Sequence, residues 1–185
     1  MQSIPDINKP FPFQLADMSG ALWAIIGTFM MLEKRKQTYT GGELDISLFR
    51  SLTSLFPFFY SATEGGDIAN GMFSGNYACY NVYETRDDKK IAVGSVEEKF
   101  FKRLLDIMKV DYKDNMLYDP IFQDKLIQDL KIAFKSYDAE VILDKLQKED
   151  ICVTPVLSKE EFFSYLNKQG VETKKMEDFL FCPLL

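Results

Sequence analysis

No histidine occurs among the 185 residues. A His general base, a Ser–His or Cys–His nucleophile pair and a His metal ligand are therefore excluded from this chain. Cysteine is scarce: Cys79, Cys152 and Cys182 stand far apart, and no CxxC pair occurs. This removes the zinc and redox motifs that need closely spaced thiols, and no metal site is expected. A sparse, odd count points to free thiols in a reducing compartment, and so to the cytoplasm. A basic excess is also missing. Lys and Arg number 22 against 28 Asp and Glu, for a net charge of −6, so the basic face of a nucleic-acid binder is not expected. No P-loop, GxGxxG, HExxH, GxSxG or EF-hand pattern is present. Met1 to Pro12 lacks the basic start and apolar stretch of a signal peptide.

Apolar residues are plentiful, at 46% with 14% aromatic, which excludes a disordered chain. The length is about that of one domain and suffices for a sizeable core. Charge is unevenly placed. Residues 1–75 carry 12 charged side chains and residues 76–185 carry 38. The run Leu15–Leu32 is apolar enough to raise the question of a membrane. It contains Asp17, Ser19, Gly20 and Thr28, and its flanks lack a belt on both sides, so it reads as a helix buried in protein. A helix apolar all round must be covered, and little in this chain is available to cover it. Residues 1–75 are therefore expected to pack against another polypeptide: a second copy, or a portion of the same protein outside this chain.

Local signals give the element order. Asp17 or Ser19 is suited to cap a helix that runs to about Lys36. A turn at Gly41 and Gly42 follows, with Asp45 as a cap and a second helix from about Ser47 to Ala62, bent near Pro57. TEGGDIANGMFSGN is a glycine-punctuated linker. Tyr80–Thr85 and Lys90–Ser95 read as a hairpin joined by RDDK. A helix over Glu97–Val110 carries Phe100, Phe101, Leu104, Leu105 and Met108 on one stripe. Helical patterns over 120–134 and 138–148, a short strand at Ile151–Val156, and a capping box at Ser158–Glu161 complete the order. The tail from Lys168 is charged but ends in the apolar FLFCPLL. The fold class is α+β: long linking helices (1–75), a small domain with an antiparallel sheet and helices (76–165), and a return segment (166–185).

With the usual motifs gone, the candidate chemistry rests on carboxylates. Asp17 is either a helix cap or a partly desolvated acid/base or nucleophile. Glu97 and Glu98, in VGSVEEKF, are either first-turn acids that suit the helix dipole or carboxylates presented at a strand end. The glycines at 65, 66, 71 and 75 are loop punctuation or a close approach to phosphate. Tyr77, Tyr80 and Tyr83 read as strand packing.

Three stretches, in order, carry a resemblance. QLADMSGALWAIIGTFMMLEKRKQTYTGGELDISL, YNVYETRDDKKIAVGSVEEKF and EDICVTPVLSKEEF together resemble the family III CoA-transferases and α-methylacyl-CoA racemases. Glu43 departs from the Gln usual there, and Arg50 from an acid. The resemblance implies an interlocked homodimer, or a complementing N-terminal chain that carries the α/β portion, with an acyl-CoA as substrate. Coenzyme A is then part of the substrate, and no cofactor is held covalently. In the racemase branch it implies Asp17 as an acid/base group, and Glu97 as the support of a His from the portion this chain lacks. The chain alone is then expected to be inactive. In the transferase branch Asp17 is a nucleophile, forming an acyl anhydride and then an aspartyl-CoA thioester. Met72 and Phe73 interrupt that branch's glycine-rich loop, while Glu97 and CVTPVL favour the racemase. Gly75 and Tyr77 are implied in holding CoA. A catalytically dead assembly module is the reading outside enzymology.

Overall fold

Tyr39, in the left-handed region at φ 57, stops the first helix, α1 (Leu15–Thr38), by donating its N–H to Arg35 O at 2.8 Å. The fold is α+β. The structure, a computed structural model, describes residues 14–55 and 71–170, with the backbone of two further short strands. It divides into two units, Gln2–Asn76 and Tyr77–Leu185.

In the first unit the chain turns at Gly41–Gly42 and runs back along α1 to a short helix, α2 (Leu48–Thr53). Small residues permit the approach. A Cβ on Gly27 would lie 2.8 Å from Leu44 Cδ2, and one on Gly20 would collide with Leu48 Cδ2. Only Ser19 and Gly20 of α1 are buried, while Leu22 is 62%, Phe29 69% and Met30 67% exposed. This agrees with the expectation that little in this chain is available to cover the helix: among the described residues α1 is covered along a stripe of small residues and bare on its large ones. With a mean hydropathy of 1.5 it is long and apolar enough to cross a membrane.

Three local expectations are corrected. Neither Asp17 nor Ser19 caps α1. The cap position is Gln14, with no side-chain bond, and Ser19 Oγ instead donates to Ala16 O at 2.9 Å. The α2 cap is Ser47, whose Oγ accepts from Arg50 N at 3.3 Å, and not Asp45. Helix α2 ends at Thr53 in a turn that Trp23 closes, its Nε1 donating to Ser54 Oγ at 2.9 Å. Residues 56–70, with Pro57 and most of the glycine linker, lie outside the described residues, as do 1–13.

The second unit is built on alternation of period two. Strand β1 (Tyr80–Glu84) pairs antiparallel with β2 (Lys90–Gly94), Val82 opposite Ala92. Strand β3 (Val153–Val156) pairs with the other side of β2, Ala92 opposite Thr154. Pro155 is tolerated because β3 is an edge. Tyr83, Ile91, Val93 and Val153 bury one face. Four helices follow the sequence closely: α3 (Glu98–Met108), α4 (Pro120–Lys135), α5 (Ala139–Lys148) and α6 (Lys159–Lys168). The stripe on α3 buries Phe101, Leu104, Leu105 and Met108, leaving Phe100 half-buried. Leu126, Leu130 and Phe134 recur every four residues on the inner face of α4. Phe134 lies flat on Tyr83, ring centroids 4.9 Å apart and 6° from parallel. The capping box at α6 forms in both directions, Glu161 N to Ser158 Oγ and Ser158 N to Glu161 Oε2. Beyond it the backbone makes a small ladder, β4 (Lys174–Met176) with β5 (Phe179–Phe181), which no alternation in the charged tail had signalled.

Two polar clusters lock this unit. The buried Gln123 accepts from Ala78 N at 3.1 Å and donates to the carbonyls of Met116, Leu117 and Asp119. In the hairpin turn, Arg86 forks onto Asp138 at 2.9 and 2.7 Å. That occupies the cap residue of α5, and Asp87 caps the helix in its stead, accepting from Ala139 N at 3.0 Å. Hydrogen bonding to Thr85 holds the Asp87 carboxyl below its usual range, and the Arg86 guanidinium does the same for Asp138.

Gln123→Ala should cost about 1–3 kcal/mol, since it strands a buried N–H and three carbonyls. Thermal unfolding should show it as a midpoint lowered by roughly 4–8 °C per kcal/mol. Both carboxyls have depressed folded pKa values, so their contribution is present above the unfolded carboxylate range and is lost as pH falls from that range through the lower folded values. The midpoint should therefore drop between about pH 5 and pH 3. In Asp138→Asn the drop should be shallower; an unchanged slope would show that the turn does not contribute.

Candidate functional site

Each expected site residue is placed within its own unit. Asp17 sits in the first turn of α1, where a negative charge suits the helix dipole. It is exposed, and among the described residues its carboxylate has neither a hydrogen bond nor an ion pair. The desolvation expected from its apolar neighbours in sequence is thus not supplied by the described residues. Those neighbours are themselves on the outside of α1, so they do not enclose the carboxylate.

Gly75 closes a single 3-10 turn, Met72–Ser74, at φ 83, a conformation that strains any residue with a Cβ. In the other unit Tyr77 is half-buried and bridges to Tyr80. Tyr83 is fully buried and donates to Ala78 O at 2.8 Å, so the strand-packing reading holds for it.

Glu97 stands where β2 gives way to α3. It is the N-cap residue of α3, with extended φ −75 and ψ 137, and its carbonyl accepts from Phe100 N at 3.0 Å and Phe101 N at 2.9 Å. Its side chain does not cap. A Ser, Thr, Asp or Asn at this position would have accepted from the helix N–H groups. The longer Glu side chain is instead exposed and without hydrogen bond or ion pair among the described residues. Glu98, next to it, behaves as an ordinary first-turn acid and pairs with Lys102 at 2.6 Å. The two adjacent carboxylates thus part company: one serves the helix, the other is left available.

The junction that carries Glu97 is held from beneath by a residue the sequence had not singled out. Tyr118, in the loop before α4, donates its hydroxyl to Val96 O at 2.9 Å, and its ring lies 6.2 Å from that of Phe101. Burial, with the Glu98 and Glu97 carboxylates nearby, pushes its phenol up to about 12, so the proton stays on the oxygen that donates. The contact spans 22 residues of sequence, and only the folding of α3 and α4 brings it about. At the same junction Ser95 is fully buried, and its Oγ has no partner among the described residues. Cys79, buried nearby in sequence to β1, has its thiol pushed up to about 12 by desolvation and is unsuited to attack. Cys182 lies outside the described residues. Among the described residues no group of three His, Cys, Asp or Glu is placed to hold a metal ion.

The model of CoA-transferase family III matches residues 8–177, a range that includes Asp17, Gly75 and Glu97. The chain belongs to that family. It is 31% identical over 167 residues to the CaiB/baiF CoA-transferase family protein ZK892.4 of Caenorhabditis elegans, covering 85% of this chain and 47% of that protein. It is 28% identical over 160 residues to the alpha-methylacyl-CoA racemase of Homo sapiens, covering 80% and 40%. The chain thus spans about half the length of these curated relatives. Its fold is similar to that of Rv3272 from Mycobacterium tuberculosis, with a TM-score of 0.69 at 14% identity over 99% of this chain and 51% of that one.

Glu97 occupies a capping position without capping, so Glu97→Ser should stabilise the protein by about 0.5–1 kcal/mol in urea unfolding, by giving α3 its missing acceptor. A gain in stability from losing this carboxylate is what a residue kept for function would show. A loss would mark Glu97 as structural.

Proposed function

We propose that this family III chain supplies part of an acyl-CoA site for exchange of the proton α to a thioester carbonyl. The observation that carries the reading is Glu97, held at a strand–helix junction with its carboxylate unused by the fold. The resemblance of the surrounding motif to the racemase branch, and the human relative's name, support it. Removal of an α-proton on one face and its return on the other passes through an enolate and needs two acid/base groups flanking the carbon. Asp17 is one. Glu97 orients the other, an imidazole that must come from outside these 185 residues because they contain no His. Gly75 and Tyr77 contribute to the hold on CoA. The bare face of α1, with Leu22, Phe29 and Met30, is covered by a second copy or by a complementing chain, and only the complementing chain can bring the imidazole.

The chain should not exchange the α-hydrogen of a 2-methylacyl-CoA in deuterated buffer when alone. Together with the portion of the nematode relative that it does not match, it should do so. Asp17→Asn and Glu97→Gln should each lower that rate by about 100-fold or more. A covalent Asp17 adduct trapped by hydroxylamine or borohydride, without α-exchange, would instead establish a transferase in which Asp17 attacks the thioester carbonyl and expels CoA as thiolate. Neither exchange nor adduct would leave an assembly module.

A further inference from the structure

We propose that Tyr118 is a positioning residue that fixes how Glu97 is presented, through the hydrogen bond from its hydroxyl to Val96 O. The inference rests on the reading of Glu97 as a working carboxylate. Strand β2 ends at Gly94, whose N–H makes the last ladder bond, to Cys152 O at 2.9 Å, and α3 begins at Glu98. Between them lie Ser95, Val96 and Glu97, and of these Glu97 is tied to α3 only through its carbonyl, which accepts from Phe100 N and Phe101 N. The peptide linking Val96 to Glu97 sets the direction in which the Glu97 side chain leaves the backbone. Tyr118 grips that peptide by its carbonyl at 2.9 Å, and is itself fixed by its ring against Phe101 and by the cap of α4 one residue later, where Asp119 Oδ1 accepts from Ile121 N at 3.0 Å. Pro120, in the first turn of α4, stiffens the same point. The anchor therefore comes from a different helix than the one Glu97 caps, and α3 cannot swing at its N-terminus without breaking it.

Tyr118→Phe keeps the ring and removes only the donor. In the full chain, hydrogen exchange of the Phe100 and Phe101 amides, which both bond to Glu97 O, should speed up by roughly fivefold to tenfold. Exchange at Leu104 and Leu105, deeper in α3, should not change. In the completed α-exchange assay the variant should lower kcat with KM unchanged. Unaltered exchange at Phe100 and Phe101 would overturn the proposal. So would an acceleration spread evenly along α3, which would make Tyr118 a general prop. If the two amides respond as expected but Glu97→Gln keeps full α-exchange, the hold on Glu97 stands and the racemase reading falls.

Discussion

The arrangement of residues 77–170 depends on one contact, the flat stacking of Tyr83 on Phe134. It joins the hairpin to α4, and its two ends are pinned by polar locks, Gln123 at Ala78 and Asp87 at Ala139. Apolar stacking alone would let the hairpin slide, because such contacts have little directionality. The hydrogen bonds remove that freedom, and each leaves a buried group unsatisfied if it breaks. With the hairpin fixed on α4, the end of β2 has only one place to be. Tyr118, which leads into the same helix, then meets Val96.

The first unit follows a different rule. A soluble helix normally turns its large apolar residues toward its own core. Helix α1 turns its smallest ones inward, Ser19, Gly20 and Gly27, because the returning segment passes so close that no Cβ fits at two of them. What remains outward among the described residues is a row of large apolar side chains, with Leu22, Phe29 and Met30 more than half exposed, a face of the kind that takes a covering partner. The sequence pointed to this through its low charge before Asn76, which left little in the chain to cover an apolar helix.

Much of the candidate site was legible in the chain, and the failures have physical causes. Glu97 stood out by its place between a strand pattern and a helical stripe. That its carboxylate would be left without a partner was beyond reach, since what a long side chain at a cap position meets is set by the groups the fold brings around it. Asp17 was read as enclosed because its neighbours in sequence are apolar. In a helix those neighbours point away in several directions, and proximity along the chain does not desolvate a side chain. Asp45 and Ser47 were equally good caps by composition, and the exact turn chosen after Gly42 decided for Ser47. Tyr118 gave no signal, because its partner lies on a different element.

Periodicity and punctuation by themselves determined the hairpin, the four helices of the second unit, the capping box at Ser158 and the uneven character of the two halves. These are local properties, set by side-chain spacing and by the turn chemistry of a few residues. Tertiary structure alone decided that Arg86 would take Asp138 and leave Asp87 to cap α5, that α1 would pack by its glycines, and that a tyrosine before α4 would grip the peptide behind Glu97. Each of these depends on which groups meet across 20 to 50 residues of chain, and that is fixed only when the core closes.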